Sequence, residues 1–500
     1  GSKDLEFGKA IYQGYCIDCH GSDGNHPNLP TARAFGNQPL KFGADPYQMF
    51  MTITTGRGLM GAMSHLNPLQ RYQVIHYIRE ILMKPSNPSY RPIDKPYLSS
   101  LPEGTDNGER ITSIERDFGA SLCSQLGREF ESVLTTKVGD WTISYDLHSM
   151  NTAGLWRGGF LNIQETQHAL ARGEGTVMPA GKLEKGLQGW QWGYDGTLDY
   201  SRENVLPRGP LPEKWMRFNG YYVHSGIPIL SYTIDGREIL EMPSAGSLAD
   251  GIDRVLELGA GNELLLGIAD WSGYDPDAKI VIEKDRASME LPDEPGEQPS
   301  RISVQVHGPL ETRLYLDTKR RLVLSIPESQ KSQQLVVSIL KGPYESTVSA
   351  AGKKTAELGT LIQGGPSQWQ ETLTTLGYKG LEQDGYALDT LTIPESNPWN
   401  AWLRTAALDF LPDGRMLVSM YGGDLWLVDG IDDELLQLRW KRFASGLYEP
   451  LGIRVVGQQI LVNCKDRIVR LHDLNGDDEA DFYENVSDDT DVSVNFHAFN

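Results

Sequence analysis

Five residues near the amino end, Cys16-Ile17-Asp18-Cys19-His20, constrain this chain more than any other feature. A Cys-x-x-Cys-His run is where a c-type haem is covalently attached: the two thiols add across the haem vinyl groups, and the imidazole takes one axial position on the iron. A bare Cys-x-x-Cys also occurs in zinc sites and in thioredoxin-like redox pairs, but zinc needs a second pair of ligands and the redox motif follows a strand. Neither accompaniment is found in the sequence, which therefore predicts haem c held by Cys16 and Cys19, with His20 as an iron ligand.

A second axial ligand is expected downstream of the haem motif. A thioether sulfur in this position favours the reduced iron and raises its potential. Met60 and Met63 both lie in the glycine-rich run 56–63, and either one can instead fill a gap in a small core. His65 and His76 are weaker candidates for the same position.

Helical spacing frames these motifs. Apolar residues recur at that spacing over Leu5–Tyr15, before the cysteines, and over Pro68–Met83, after the methionines. The order helix, Cys-x-x-Cys-His, Met-bearing loop, helix resembles a class I cytochrome c domain. The run Gly-x-Gly-x-Met followed by Pro-x-x-x-Tyr-x-Val-Ile-His-Tyr-Ile-Arg is similar to the haem domains fused to larger dehydrogenase-like proteins of planctomycete and verrucomicrobial bacteria. This resemblance favours Met60 as the axial ligand.

The resemblance also implies a compartment. Haem c is attached on the outer side of the bacterial inner membrane, so we expect a periplasmic or exported protein with a redox partner protein. No signal peptide is visible, and no apolar run reaches the ~18 residues that span a bilayer. The formal net charge of -21 at pH 7 argues against nucleic acid and anionic membranes as partners. The two remaining cysteines, Cys123 and Cys464, are either free or bridged.

The 500 residues exceed one ordinary core, so several domains are expected. A proline-rich, aperiodic stretch after the haem domain is typical of a linker, and beyond it short apolar runs alternate with turn residues, which predicts strands. The predicted fold class is multidomain: a small all-α cytochrome c domain followed by all-β regions, first β-sandwich-like and then with β-propeller blades. The expected domains are 1–85 (cytochrome c), 86–110 (linker), 111–350 (sandwich-like), 351–390 (connector) and 391–500 (propeller blades, incomplete).

The middle region is marked by predicted strands and by tryptophans. Asp235-Gly236 between two apolar runs is a hairpin signal. Five of the region's six tryptophans are candidates for a ligand-binding role: Trp156, Trp190, Trp192, Trp215 and Trp271. They either anchor the core or form an aromatic platform for a sugar. The segments 145–160 and 209–232 resemble an uncharacterised domain that sits between haem and propeller units in the same bacterial group, and this resemblance implies no activity.

The last hundred residues repeat a strand pattern. The order strand, Pro-Asp-Gly turn, strand, turn, strand over 408–429 returns over 452–471, and Leu461 lies 44 positions after Leu417. A four-stranded unit at that period is typical of a β-propeller blade. A propeller needs roughly four to eight blades, and about two fit here, so we expect the native chain to continue past Asn500.

An acidic run in the second of these units has the spacing of a calcium loop. Oxygen-bearing side chains occupy alternate positions and the twelfth, as in the Asp-x-Asn-x-Asp loops that bind this hard cation. The candidate ligands are Asp473, Asn475, Asp477, Glu479, Asp481 and Glu484. Asp478 stands where such loops have glycine for a sharp turn, and a solvated acidic turn is the alternative interpretation.

The blade pattern, the connection 445–452 and the acidic loop together resemble the soluble sugar dehydrogenases that use pyrroloquinoline quinone (PQQ). In that family a histidine after the second blade takes the proton of the sugar hydroxyl. His497 falls at about this place, although the glycines that follow the family's histidine are absent. The resemblance implies PQQ as a cofactor and a sugar or alcohol as substrate.

Three functions remain open at this point. The first is a periplasmic oxidoreductase that acts on a sugar or alcohol with a quinone cofactor and whose haem relays the electrons singly. The second is a non-catalytic electron carrier or scaffold whose β domains bind glycans or partner proteins, since a propeller fold does not define an activity. In the third, an open axial position makes the haem itself catalytic, as in a peroxidase.

Overall fold

The chain forms a small helical region followed by a large all-β region. In the computed structural model the described residues are 2–57, 60–63, 66–101, 116–127, 129–163, 177–187, 191–199, 214–246, 251–291, 300–309, 311–343, 356–380 and 385–488. Two compact units are present, Gly1–Glu109 with Gly380–Thr390 and Arg110–Lys379 with Leu391–Asn500. Within the described ranges, none of the helices has the length and apolar character needed to cross a bilayer.

Short helices build the first unit. Their bounds are α1 Ser2–Tyr15, α2 Ile17–His20, α3 Pro46–Thr55, α4 Pro68–Tyr77 and α5 Lys95–Ser100, with a π-helical segment Ile78–Met83 directly after α4. Local signals explain three of the helix starts: Asp45, Asn67 and Asp94 each accept a backbone N–H at the helix start, and a proline follows at one of the first two helical positions. The methionine-bearing run 56–63 is called the Met loop below. The helix predicted before the haem motif agrees with α1, and the helix predicted after the Met loop agrees with α4 plus the π-helical segment.

Helices α1 and α4 approach each other closely at Gly8. A Cβ atom at this position would lie 2.1 Å from the carbonyl oxygen of Gln73 and 2.8 Å from the Cβ of Tyr77. Glycine is therefore the residue that allows the two helices to meet. Ile11 and Tyr12 continue the same side of α1 into the hydrophobic core. The helix that leads into the haem motif is thus fixed against the helix that follows the Met loop.

The stretch predicted as a linker, 86–110, packs on the helical unit over its first part. Asn87 is 6% exposed and donates hydrogen bonds to the carbonyls of Phe35 (2.6 Å) and Gln38 (2.8 Å). Farther along, the hydroxyl of Tyr97 in α5 donates to a carboxylate oxygen of Asp45 at 3.1 Å. The prolines of this stretch prevent a long helix, but its amide and phenol side chains still attach it to the unit.

Antiparallel strands build the second unit. The first eighteen are β1 Leu122–Leu126, β2 Phe130–Val138, β3 Trp141–Asp146, β4 Asn151–Arg157, β5 Leu161–Asn162, β6 Met178–Pro179, β7 Gln191–Trp192, β8 Met216–His224, β9 Ile227–Ile234, β10 Arg237–Ala245, β11 Gly251–Leu258, β12 Leu264–Asp270, β13 Ile280–Ile282, β14 Arg286–Glu290, β15 Ser300–His307, β16 Arg313–Leu316, β17 Arg321–Ile326 and β18 Gln333–Pro343. After α6 (Leu358–Leu361) come β19 Thr372–Thr375, β20 Gly377–Tyr378, β21 Thr390–Leu391, β22 Thr405–Phe410, β23 Met416–Met420, β24 Leu425–Asp429, β25 Leu438–Ala444, β26 Gly452–Val456, β27 Gln459–Asn463, β28 Arg467–His472 and β29 Phe482–Asp488.

One sheet of twelve strands dominates this unit. Its order is β13-β14-β15-β18-β11-β10-β9-β8-β29-β28-β27-β26, and two four-stranded sheets have the orders β1-β2-β3-β4 and β16-β17-β12-β7. Side chains from all three sheets contribute to one hydrophobic cluster, for example Ile143, Leu256 and Leu324. The sheets are therefore layered about a common core.

Strands β9 and β10 form the hairpin predicted at Asp235-Gly236. Both turn residues have positive φ, 49° for the aspartate and 72° for the glycine. Positive φ at the two central positions is what a type I′ turn requires, and this turn matches the twist of the strands it joins. The local sequence signal therefore identified both the strands and the turn.

Three of the five candidate tryptophans of the middle region are core residues. Trp156, Trp192 and Trp271 have relative exposures of 0%, so they cannot stack against a sugar, and the aromatic platform is wrong for them. Trp215 is partly buried and donates through Nε1 to the carbonyl of Gly193 at 2.9 Å. Trp190 lies outside the described residues.

Two four-stranded meanders, β22–β25 and β26–β29, follow the 44-residue repeat of the sequence. Each gains a strand from earlier in the chain: β19 pairs with β25, and β8 pairs with β29. The first strands of the two meanders are in contact, because the carboxylate of Asp409 in β22 accepts a hydrogen bond from the backbone N–H of Val455 in β26 at 2.8 Å. A closed propeller stays a prediction.

Candidate haem site

The haem motif occupies the helical turn that follows α1. The backbone N–H of Cys16 donates to the carbonyl of Tyr12, and that of His20 donates to the carbonyl of Cys16, both at 2.9 Å. Cys16 is buried, whereas Cys19 and His20 are half-buried. The backbone therefore presents two thiols and one imidazole from a single short helical segment.

The imidazole of His20 is oriented by the backbone. Its Nδ1 lies 3.0 Å from the carbonyl oxygen of Arg33. Because a carbonyl can only accept, Nδ1 carries the proton and Nε2 keeps its lone pair, the tautomer that a histidine needs in order to bind a metal. The ring also stacks on Phe35, with 4.4 Å between the ring centroids. Burial lowers the pKa of His20, and the bond to Arg33 offsets part of this effect, so the ring is held neutral.

Tyr12 and Cys16 belong to the hydrophobic cluster of the helical unit. The Tyr12 hydroxyl donates to the carbonyl of Gly21 at 2.8 Å and so ties α1 to the residue that ends the motif. Burial, with a smaller contribution from Cys19, raises the pKa of Cys16 to about 12. The thiol of Cys16 is therefore held protonated in an apolar setting.

The Met loop folds back on α3. Arg57 and Met60 exchange two backbone hydrogen bonds, at 2.9 and 3.1 Å, and the N–H of Met63 donates to the carbonyl of Ile53 at 3.0 Å. Gly56 has φ of 69°, and a Cβ atom there would lie 2.6 Å from the carbonyl oxygen of Met60. Glycine is thus required where the loop reverses. Both methionines pack against the core of this unit, so the geometry keeps both as candidate ligands.

The donor set fits haem c. Two thiols and an imidazole with a directed Nε2 come from the motif, and two thioethers pack on the same core. Sequence reasoning identified these five side chains but missed Arg33, whose contribution is a backbone carbonyl. A backbone acceptor has no side-chain signature, so the sequence offered no signal for it. Of the weaker ligand candidates, His76 lies half-buried on α4, and His65 lies outside the described residues.

The predicted calcium ligands divide into three groups. Asp473 closes a tight turn, because its carboxylate accepts from the N–H groups of Gly476 (2.7 Å) and Asp478 (3.0 Å). Asp478 has φ of 63°, so it adopts the left-handed conformation that glycine supplies in calcium loops. The turn geometry is therefore kept despite the substitution. Asn475, in the same turn, donates to the carbonyl of Gly365 at 2.7 Å.

Glu479 and Asp481 hold the neighbouring segment 365–369. Glu479 accepts from the Ser367 hydroxyl at 2.7 Å, and Asp481 accepts from the Gly365 N–H at 2.7 Å. Both carboxylates are buried. The sequence spacing did not predict this use, because residues 365–369 are more than a hundred positions away.

The last two calcium candidates differ in their surroundings. Glu484 pairs with His472 at 2.7 Å and so faces a histidine rather than the turn. The pKa of Asp477 is raised, first by burial and then by the charges of Glu479 and Asp473. In the part of the chain that the structure describes, no three His, Cys, Asp or Glu side chains form a group able to hold a metal. Calcium binding stays a prediction.

The predicted catalytic base, His497, lies outside the described residues.

Family comparisons agree with the geometry of the helical unit. Residues 3–78 match the model of the family described as "Cytochrome C oxidase, cbb3-type, subunit III". The N-terminal domain is a cytochrome c domain. It supports a haem electron-transfer protein with haem c as cofactor and implies a redox partner. Residues 143–241 match a second family, described as a domain of unknown function (DUF6797).

Other comparisons add no function. No match is found among curated proteins. Among solved structures, a "Heparinase III-BT4657 gene product" has 9% identity and a TM-score of 0.24, covering 54% of this chain and 42% of its own. A 4-alpha-glucanotransferase from Thermococcus litoralis has 10% identity and a TM-score of 0.22, covering 44% of this chain and 39% of its own. This chain thus spans less than half of either protein, and similarity at this level carries no argument.

Proposed function

We propose that this protein is an exported haem c electron carrier and the haem-bearing part of an oxidoreductase that acts on a sugar or alcohol with PQQ. The observation that carries the proposal is the hydrogen bond from His20 Nδ1 to the Arg33 carbonyl. This bond leaves the lone pair on Nε2 of an imidazole that shares its turn with both cysteines.

The residues of the helical unit have separate tasks in this proposal. Cys16 and Cys19 anchor the porphyrin, and His20 supplies one axial nitrogen in a fixed orientation. Met60 supplies the axial sulfur, with Met63 as the alternative. When bound, haem iron accepts and returns one electron at a time. The core around Tyr12 keeps water away from the anchored side, which favours the less charged, reduced form.

The enzymatic part of the proposal rests on the two C-terminal meanders. Their contact through Asp409 and Val455 brings the first strands of successive units side by side, as innermost strands lie in a propeller. Their sequence also resembles PQQ sugar dehydrogenases. In the proposed reaction His497 takes the proton of the substrate hydroxyl as a general base.

Haem attachment is tested on the purified full-length protein. We expect a Soret band that remains with the polypeptide after extraction with acidified acetone, because thioether bonds survive this treatment and coordination alone does not. Exchange of Cys16 and Cys19 for serine should release the pigment. Pigment that leaves the unmodified protein would refute covalent attachment and the electron-carrier function with it.

The oxidoreductase function is tested by haem reduction. The full-length, haem-loaded protein is supplied with calcium and PQQ, and its absorption spectrum is followed after addition of sugars and alcohols. Substrate-driven reduction of the ferric haem supports the enzyme, and exchange of His497 for alanine should abolish it. Binding of a glycan without a spectral change would instead favour the carrier and scaffold function.

A further inference from the structure

The two cysteines outside the haem motif lie at one place in the β unit. Cys123 belongs to β1, and Cys464 lies in the turn between β27 and β28, 341 positions later. They are 4% and 6% exposed. Both line the same cavity, which measures about 10 Å³. This is room for about one water molecule, and both side chains are thiols in the structure.

The backbone fixes both positions. The N–H of Cys123 donates to the carbonyl of Gly446 at 2.7 Å, and the N–H of Cys464 donates to the carbonyl of Arg467 at 2.9 Å. Gly446 lies in the connection between the two C-terminal meanders. The N–H of Lys465, next to Cys464, donates to the carbonyl of Tyr448 in the same connection at 2.8 Å, so both cysteines are held against one segment. Neither cysteine depends on a loose loop for its placement.

Burial and nearby charges act on both thiols of the cavity. Burial raises the pKa of both, and a charge on Cys123 raises the pKa of Cys464 further. Asp466 acts on both in the same direction. This carboxylate also accepts from Arg467 Nε at 2.8 Å, and its second oxygen has no hydrogen-bond partner in the described structure. The cavity is thus a small, mostly apolar pocket with two thiols in its wall and one ion pair beside them.

We propose that Cys123 and Cys464 are a disulfide-forming pair that links β1 to the β27–β28 turn. Exported proteins meet an oxidising environment in which adjacent thiols are joined. Only this oxidising compartment is taken from the proposed function, and the placement of the two thiols is independent of the haem. The link would connect two parts of the β unit that are distant in sequence and adjacent in the fold.

The chemistry of the link is a thiol–disulfide exchange. Two S–H bonds of this chain break and one S–S bond forms, while the S–S bond of a thiol–disulfide oxidoreductase breaks. The electron pair and, through solvent, the two protons pass to the oxidoreductase sulfurs, which become two thiols. Since both thiols are buried in the folded chain, this exchange precedes closure of the core. The finished bond is then shielded from reductants by the same burial.

The proposal is tested by alkylation and peptide mapping. The haem-loaded protein is exported to a bacterial periplasm, purified without reductant, denatured, and treated with iodoacetamide with or without prior reduction. We expect no alkyl group on Cys123 or Cys464 without reduction, one on each after it, and a linked peptide that contains both. Exchange of Cys123 for serine should make Cys464 reactive without reductant.

Two results distinguish a failure of the disulfide proposal from a failure of the proposed haem function. Alkylation of both Cys123 and Cys464 in the non-reduced, denatured protein would overturn it. Alkylation of Cys16 and Cys19 would instead report missing haem, which is a failure of the proposed function. As a second measurement, protein that is reduced while denatured and then refolded with reductant should melt roughly 5 °C below the oxidised protein. The double variant Cys123→Ala/Cys464→Ala should show no such difference.

Discussion

At the scale of single residues, the haem-motif side chains of the helical unit each have a defined position, whereas the axial sulfur ligand has two candidates. Cys16, Cys19 and His20 each have one geometric place, and the bond to the Arg33 carbonyl selects the tautomer of the imidazole. The axial sulfur, in contrast, has two candidates whose backbones are both anchored. The difference arises because the motif fixes its side chains through a helix, whereas the methionines lie in a loop.

Exchange of Met60 for alanine tests which sulfur is the axial ligand. We expect the haem reduction potential to fall, within the ~0.8 V that axial ligands span, because loss of a thioether disfavours the reduced iron. The potential is measured by spectroelectrochemical titration. Met63→Ala is the matched control and should leave the potential nearly unchanged. A fall in the Met63 variant alone would assign the ligand to Met63.

Glu241 tests the buried ion pair of the β unit. Its carboxylate lies 2.5 Å from Nε of Arg254, and the two side chains are 0% and 1% exposed. We expect Glu241→Ala to lower the free energy of unfolding by about 3–5 kcal/mol, because it leaves a buried guanidinium without its counter-charge. Glu238→Ala, on the exposed side of the same strand, should change it by less than about 0.5 kcal/mol. Chemical denaturation followed by fluorescence measures both, and equal losses would contradict the prediction.

At the scale of elements, close contacts explain what periodicity alone does not. The apolar spacing of α1 and α4 predicted two helices, but their crossing depends on the missing side chain of Gly8. The acidic turn likewise depends on a backbone angle at Asp478 that residue type does not reveal. In both places the element is predictable from the sequence and its partner is not.

Gly8 and Gly14 form a matched pair on α1. Gly8→Ala places a methyl group 2.1 Å from the Gln73 carbonyl, whereas a Cβ at position 14 has nothing within 4 Å. We expect Gly8→Ala to destabilise the helical unit by about 1–3 kcal/mol through overpacking. Gly14→Ala should instead stabilise it by up to about 1 kcal/mol through helix propensity. Thermal unfolding followed at the haem absorbance decides, and a stabilising Gly8→Ala would show that the helices do not cross there.

Calcium binding by the acidic turn has a thermal signature. A ligand at about 100 times its dissociation constant stabilises the folded state by about 2.7 kcal/mol, so added calcium should raise the melting temperature of the β unit and a chelator should reverse the rise. The variant Asp473→Ala should abolish the response. Asp413→Ala, in a turn outside the loop, is the control and should retain it. An unmodified protein that gives the same melting curve with calcium and with chelator would leave the turn as a solvated acidic turn.

At the scale of the whole molecule, the sequence predicted a helical domain, a β-rich middle and repeated C-terminal strands, because these follow from local patterns such as Asp235-Gly236 and the Pro-Asp-Gly turn. It did not predict that β29 pairs with β8 and so continues one sheet across both β regions. Tyr483 stands opposite Tyr221 in this pairing, and their rings stack with centroids 4.6 Å apart. Such a strand pairing joins residues that are more than 250 positions apart in the sequence, and neither residue type nor spacing predicts it.

Gly220 tests this junction of the sheet. Its φ is 129°, and a Cβ atom there would lie 2.2 Å from the carbonyl oxygen of Tyr483 in β29. Gly226, in the turn after β8, also has positive φ (75°) but nothing within 4 Å of a Cβ. Both alanine variants are destabilised by the positive φ, but only the methyl group at position 220 also clashes with β29. We therefore expect Gly220→Ala to lower the free energy of unfolding by about 1–3 kcal/mol more than Gly226→Ala does. Denaturant unfolding followed by near-ultraviolet circular dichroism measures the difference, and its absence would contradict the pairing.

Because β8 pairs with β29, its sheet cannot be completed until nearly all of the chain has been synthesised. The ribosome completes β8 at residue 224 and must add 257 more residues before β29 begins at residue 482. At ~5–20 residues per second this takes roughly 10–50 s, during which one side of β8 has hydrogen-bonding groups without their final neighbour. A nascent chain in this interval is open to pairing with other chains. Holding chaperones that delay collapse until translation ends should therefore increase the yield of native protein.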